Sequence, residues 1–215
     1  MINIISFTFD PHITNPIVDD QIWDFLIEVK KELDIFFEID KKTFEIRYIF
    51  SRVEFDKVQN RRTKDWEMSC AGNNIIHIFH PDIYISKSNH KDNFYWLRLL
   101  KHEIVHLYHQ ELCNITKSIY PRWLVEGLAC YLASQENYNR SEVLDIFQKD
   151  YNAHSLGFFW VEILYSKFGK NKLLKLIRKI GNNYSKKKFK KIFFELYGIK
   201  YSKKFFKKIL HKRRK

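Results

Sequence analysis

Apolar residues recur along this chain first with the period of strands and then, from about residue 92, with the period of helices. Four short apolar or alternating segments predict strands: Ile2 to Phe9, Thr43 to Phe50, Met68 to Ala71 and Ile75 to His80. The run Gly72-Asn73-Asn74 is typical of a turn between the last two.

Two helices are predicted among these strands. Asp19-Asp20-Gln21 supplies acids to the first turn of a helix with apolar residues at helical spacing, namely Ile22, Phe25, Leu26, Val29 and Leu33. Ser51-Arg52-Val53-Glu54 is a capping-box sequence and predicts a short helix that ends near Asn60. Pro81 to Lys91 is predicted to be a loop.

The rest of the chain is predicted to be helical, without an internal repeat or a low-complexity linker. The predicted helices cover about 92–112, 122–135, 140–149, 155–168, 170–180, 185–197 and 201–212. Strands with one or two helices, followed by helices alone, predict an α+β fold. We expect a single domain, 1–215, with an N-terminal α/β lobe, 1–91, and a helical lobe, 92–215.

The segment His102-Glu103-Ile104-Val105-His106 places two histidines four residues apart within the helix predicted at 92–112. Residues at this spacing lie on one face of a helix, so both imidazoles can reach one metal ion, and Glu103 lies beside that face. Glu126 follows in Trp123-Leu124-Val125-Glu126-Gly127-Leu128-Ala129, near the start of the next predicted helix. Two imidazoles and one carboxylate leave the fourth position of a tetrahedral zinc open, as in catalytic zinc sites.

These two motifs resemble those of the gluzincin metallopeptidases, especially the small peptidase-MA-like domains related to thermolysin and the M1 aminopeptidases. Segments 159–169 and 189–199 resemble the helix after the third ligand and the terminal helix-turn-helix of these domains. The resemblance implies a zincin-like fold with the metal-binding helix at the junction of two lobes. It also implies one zinc ion per chain, held by His102, His106 and Glu126, with Glu103 as the general base of peptide hydrolysis.

The resemblance also bears on the oxyanion and the substrate. Related enzymes stabilise the oxyanion with a Tyr or His downstream of the third ligand, which implies His154 or, one turn away, Tyr151. The strand before the metal-binding helix, Ile75 to His80, is implied to pair with the substrate backbone along a sheet edge. Segment 70–74 lacks the glutamate with which the aminopeptidases hold a free amine, which favours an endopeptidase or a peptide processor.

Each candidate residue also has a structural interpretation. Histidines of a helix can be core or surface residues, an acid such as Glu126 near a helix N-terminus is favoured by the dipole, and His154 and Tyr151 can be surface residues. His109 is an alternative ligand, but the glycine and third histidine of the metzincin pattern are absent. Four further residues are possible ligands or substrate contacts but can equally be structural residues: His77, His80, Cys113 and Cys130.

The net charge of +13 is concentrated at the C-terminus: residues 186–215 hold fourteen Lys/Arg and one acid, Glu195, and the rest is balanced. One interpretation is a nucleic-acid-binding protein, or a weak contact with nucleic acid or an anionic membrane. The other is a pair of amphipathic helices that pack on the body with lysines outward and Gly198 between them. A catalytically inactive zinc scaffold is a third function, against which the intact Glu103 argues.

Signals for the compartment are few. The first ten residues lack a basic n-region and a small-residue cleavage site, no apolar run approaches a membrane span, and the three cysteines are scattered. We therefore expect a cytoplasmic protein with reduced thiols.

Overall fold

The computed structural model describes residues 6–8, 20–41, 43–87, 93–113, 121–135, 153–181, 185–202 and 204–205. The fold is mixed α/β and mostly helical, which agrees with the strands and helices predicted from the sequence. Two compact units are present, 1–108 and 109–215. The expectation of one domain stays a prediction, and the division falls inside the helix that carries His102 and His106 rather than before it.

The first unit holds a four-stranded sheet. Its strands are β1 (Ser6–Thr8), β2 (Glu45–Ile49), β3 (Ser69–Gly72) and β4 (Ile75–Phe79), in the order β1-β2-β4-β3. β2 runs parallel to β4, Ile46 lying opposite Ile76, whereas the other two pairs are antiparallel. β4 therefore lies between two strands, and the expectation that segment 75–80 forms a sheet edge is wrong. Among the described strands the edges are β1 and β3.

Three helices accompany this sheet: α1 (Asp20–Phe37), α2 (Arg52–Gln59) and α3 (Pro81–Lys87). The predicted N-cap of α2 is confirmed, because the Ser51 side chain accepts from the Glu54 N–H. The reciprocal bond of a capping box differs, since the Glu54 carboxylate accepts from the N–H of Phe50, one residue before the cap. The prediction of a loop over 81–91 is wrong for 81–87. There Pro81 occupies the first turn of α3, where its missing N–H has no helical partner to lose.

Arg52, the first residue of α2, holds the loop that precedes β3. Its guanidinium donates to the carbonyl oxygens of Lys64 and Asp65 at 3.1 and 2.9 Å, and also to that of Glu67. Three backbone acceptors on one side chain restrict how the loop can move. Because β3 begins at Ser69, immediately after this loop, Arg52 also restrains that residue.

The long helix α4 (Asn93–Cys113) is anchored to both the sheet and α1. The Trp96 indole N–H donates to the Phe79 carbonyl at 2.8 Å, and the Tyr108 hydroxyl donates to an Asp34 carboxylate oxygen at 2.5 Å. Between these points Leu100 and Ile104 are fully buried. The two anchors hold the intervening residues of α4, including 102–106, in a defined rotation.

The second unit consists of helices among the residues that are described. They are α5 (Arg122–Leu132), α6 (Ala153–Phe168), α7 (Lys170–Ile180) and α8 (Lys186–Tyr197). Helices were predicted at all four places. The further helix predicted at 140–149 lies outside the described residues, as does most of the one predicted at 201–212.

α5 and α6 pack backbone against backbone at two glycines. A Cβ placed on Gly127 would lie 2.2 Å from the carbonyl carbon of Gly157, and a Cβ on Gly157 would lie 2.2 Å from the carbonyl oxygen of Trp123. Neither position leaves room for even a methyl group. The two axes can approach this closely only because both residues lack side chains.

α8 confirms that the basic segment is folded where the structure describes it. Phe189, Phe193 and Tyr197 are buried, and Gly198 ends the helix in the left-handed region, with φ of 67°. The predicted C-cap glycine is thus confirmed. Residues 206–215 lie outside the described part of the chain.

No helix among the described residues combines the length and the apolar character needed to cross a membrane.

Replacing Gly127 with Ala should destabilise the protein strongly, because the new methyl group would meet backbone atoms that cannot rotate away. Overpacking of this kind costs about 1–3 kcal/mol or more, which lowers the melting temperature by about 5 °C or more. Gly72→Ala is the matched control, since a Cβ there meets nothing within 4 Å. Equal melting temperatures for the two variants in a calorimetric scan would contradict the close contact.

Candidate metal centre

His102 and His106 point their imidazole rings at a common place beside α4. They are one helical turn apart, and their Nε2 atoms are 3.0 Å from each other, with the rings edge to face at 4.7 Å. His102 is buried and His106 half-buried. The pair is therefore shielded from bulk water but not closed off from it.

The separation of the two Nε2 atoms fits a shared metal ion. Two nitrogens that each lie about 2.0–2.1 Å from a tetrahedral zinc are about 3.3–3.4 Å apart, close to the 3.0 Å found here. Neutral imidazole is also a preferred ligand of zinc.

Glu103 is buried beside this pair and is held by a serine. The Ser69 hydroxyl, at the start of β3, donates to Oε1 of Glu103 at 2.6 Å. One carboxylate oxygen is thereby given a fixed direction. A buried carboxylate with a fixed direction is what a general base needs, because its efficiency depends on geometry before pKa.

Cys70, next to Ser69, is not poised to act as a ligand or a nucleophile. Burial, reinforced by the negative charge of Glu103, raises the pKa of its thiol to about 12. The Gln59 side-chain amide contacts its sulfur at 2.7 Å and only partly opposes this shift. The thiol is therefore protonated at neutral pH, and thiolate is the form that binds metals.

Glu126, on α5, contacts His154 on α6. The Nε2 atom of His154 lies 3.1 Å from Oε2 of Glu126, while the Arg122 guanidinium is 4.0 Å from Oε1. Glu126 immediately precedes Gly127, and His154 lies one turn before Gly157, so the glycine contact brings the two side chains together. His154, predicted to stabilise an oxyanion, thus touches a predicted metal ligand.

The three residues predicted as metal ligands lie close in space. One imidazole nitrogen from each of His102 and His106 and one carboxylate oxygen of Glu126 all lie within 4.8 Å of one another. It is the one group of three or more potential ligand residues found among the described residues. The donor set is two nitrogens and one oxygen, which suits zinc.

The other residues considered as ligands or substrate contacts pack against neighbouring side chains or are buried. His109 is buried, with Nε2 3.9 Å from the Cys113 sulfur. His80 stacks on Phe50 with ring centroids 5.1 Å apart, and burial lowers the pKa of His77. Tyr151, the second predicted oxyanion donor, lies outside the described residues.

Sequence reasoning missed two residues that shape this centre, Ser69 and Gly157. Ser69 acts on Glu103 across 34 positions of sequence, and no local pattern reports such a contact. Gly157 does carry a signal, because glycine in the middle of a predicted helix is unfavourable unless close packing requires it.

No protein-family model, curated protein or solved structure matches this chain.

Proposed function

We propose that this chain is a zinc-dependent metallopeptidase of the gluzincin type, with a zincin-like arrangement of its helices and strands. The observation that carries the proposal is the grouping of two imidazole nitrogens and one carboxylate oxygen from His102, His106 and Glu126 within 4.8 Å. Glu103, between the two histidines in sequence, adds the carboxylate that peptide hydrolysis requires.

In this proposal each residue has a separate task. Zinc held by these ligands would lower the pKa of a water molecule and polarise the scissile carbonyl. Glu103 accepts the proton of that water and delivers it to the leaving amine. Ser69 donates to Oε1 of Glu103 at 2.6 Å and thereby fixes the orientation of this carboxylate. Burial around Glu103 and His102 keeps competing water away.

The contact between His154 and Glu126 supports a positioning role for His154. A metal ligand is oriented by a hydrogen bond to the part of it that does not bind the metal, and such partners tune metal affinity. His154 Nε2 approaches Oε2 of Glu126 at 3.1 Å and the Arg122 guanidinium lies 4.0 Å from Oε1, so two neighbouring side chains orient this carboxylate. The oxyanion role predicted for His154 or Tyr151 then falls to Tyr151 in this proposal.

The sheet order changes the strand proposed to bind substrate. β3 rather than β4 has an edge among the described strands, and it carries Ser69 beside Glu103. An extended peptide that adds to β3 would be recognised through its backbone. Segment 70–74 offers no carboxylate for a free amine, so we propose an internal peptide bond as the target.

Zinc should bind at about one equivalent per chain, because three ligands converge on one place. His102→Ala should lower zinc affinity by more than about a hundredfold, since loss of a direct ligand exceeds the effect of losing a ligand's partner. His80→Ala is the matched control, a histidine that stacks on Phe50 instead. Metal analysis and chelator competition measure both. Full zinc content in a His102→Ala, His106→Ala double variant would show that zinc binds elsewhere.

Glu103→Gln should keep zinc and lose peptide hydrolysis by a factor of about 10²–10⁴, because an amide can hold water but cannot accept its proton. Glu111→Gln alters an exposed glutamate of the same helix and should retain activity. A peptide library read by mass spectrometry measures cleavage. Turnover of the Glu103→Gln variant at the wild-type rate would exclude Glu103 as the base. A zinc-loaded wild type that cleaves nothing would favour the inactive scaffold.

His154→Ala should weaken zinc binding by about ten- to a hundredfold, whereas His154→Gln, whose amide can still donate to Glu126, should weaken it less. The melting temperature of the metal-free protein separates this effect from a general loss of stability. If both variants bind zinc like the wild type but hydrolyse peptides slowly, His154 contacts the oxyanion instead.

A further inference from the structure

α7 and α8 together present a lysine-rich surface, here called the basic surface. It comprises the exposed residues Lys172, Lys175, Lys179, Lys186, Lys187, Lys190 and Lys191. Between positions 170 and 200 the chain holds eleven Lys/Arg and one acid, Glu195. The positive charge is therefore almost uncompensated by the residues of these two helices.

The burial of apolar residues forces the lysines outward. In α7 the buried positions are Leu173, Leu174, Leu176, Ile177 and Ile180. In α8 they are Phe189, Ile192, Phe193 and Tyr197. The lysines occupy the opposite faces, where their long side chains reach into solvent.

The outward faces of the two helices adjoin. Lys179 on α7 lies 3.7 Å from Glu195 on α8, and both side chains are about half exposed, at 52% and 44%. The ammonium group of Lys188 donates to the Ile180 carbonyl at 3.1 Å, which ties the start of α8 to the end of α7. The lysines of both helices therefore belong to one continuous surface.

Phe194 distinguishes the kinds of polyanion that fit this surface. It is 50% exposed, the one large hydrophobic residue of the described part of 109–215 that is exposed to this degree. It lies one helical turn from Lys190 and Lys191. An aromatic ring among lysines suits single-stranded nucleic acid, in which phosphates meet cations and bases stack on rings.

A membrane surface fits less well. Interfacial helices bind by inserting an apolar face between lipid headgroups, but the apolar faces of α7 and α8 are already buried inside the protein. Among the described residues of α7 and α8, Phe194 is the one large hydrophobic side chain exposed for insertion.

We propose that the basic surface binds single-stranded nucleic acid, with its lysines on phosphates and Phe194 stacked on a base. The proposal goes beyond the metal centre and does not depend on it, because none of its residues belongs to that site.

The test uses the full chain and a fluorescent oligothymidylate of about 20 nucleotides, titrated at several salt concentrations. Changing Lys175, Lys187, Lys190 and Lys191 to Gln should lower affinity more than about tenfold and reduce the slope of log K against log salt by about 3, since each phosphate contact contributes about 0.7. Phe194→Ala should weaken binding by about tenfold without changing the slope.

The matched control changes four exposed lysines of the first unit, Lys31, Lys57, Lys64 and Lys87, to Gln. It removes the same charge from elsewhere and should leave affinity within about twofold of the wild type. Equal weakening by the two quadruple variants would overturn the proposal in favour of net charge alone. Binding to phosphatidylserine vesicles without binding to the oligothymidylate would overturn it in favour of a membrane. Unchanged melting temperatures establish that the variants are folded.

Discussion

The backbone of α5 lies directly against the backbone of α6, and much of the second unit follows from that closeness. Two glycines, Gly127 and Gly157, make the approach sterically allowed. Because Glu126 and His154 lie close to these glycines in sequence, the short distance between the helices brings the Glu126 carboxylate to the His154 imidazole. The helix interior thus gives up intrinsic helix propensity, about 1 kcal/mol for each glycine relative to alanine, in return for a pairing that longer side chains would prevent. The residues beside this contact, Glu126 and His154, are the ones to which we assign a function.

In the first unit, hydrogen bonds rather than a glycine contact fix the positions of the polar groups. α4 is tied to β4 through Trp96 and to α1 through Tyr108, so its rotation is set by hydrogen bonds as well as by apolar packing. The loop before β3 is held by Arg52, and the strand that follows delivers Ser69 to Glu103. Fixed groups need no rearrangement when a reaction begins, which is the general advantage of preorganised sites. The proposed peptidase chemistry would draw on this rigidity.

Local signals in the sequence were sufficient for features that depend on neighbours along the chain. Three features depend on residues within a few positions and were predicted correctly. They are the shared helix face of His102 and His106, the cap at Ser51 and the terminating Gly198. The edge position expected for segment 75–80 was wrong, because pairing β4 with β2 joins segments about 30 residues apart and depends on the packing of the whole sheet. α3 was missed because a short helix led by proline resembles a turn in sequence. Contacts such as Ser69 with Glu103 leave no local trace.

The high pKa of Cys70 has a consequence for the chemical durability of the protein. Electrophiles and oxidants react with the thiolate, and a thiol with a pKa of about 12 presents almost none at neutral pH. The Cys70 thiol should therefore resist both peroxide and alkylating reagents. Cys113 and Cys130 are buried, and Cys70 is partly buried. A chain with three free thiols can in this way retain its proposed centre through oxidative episodes that would inactivate an enzyme dependent on an exposed, ionised cysteine.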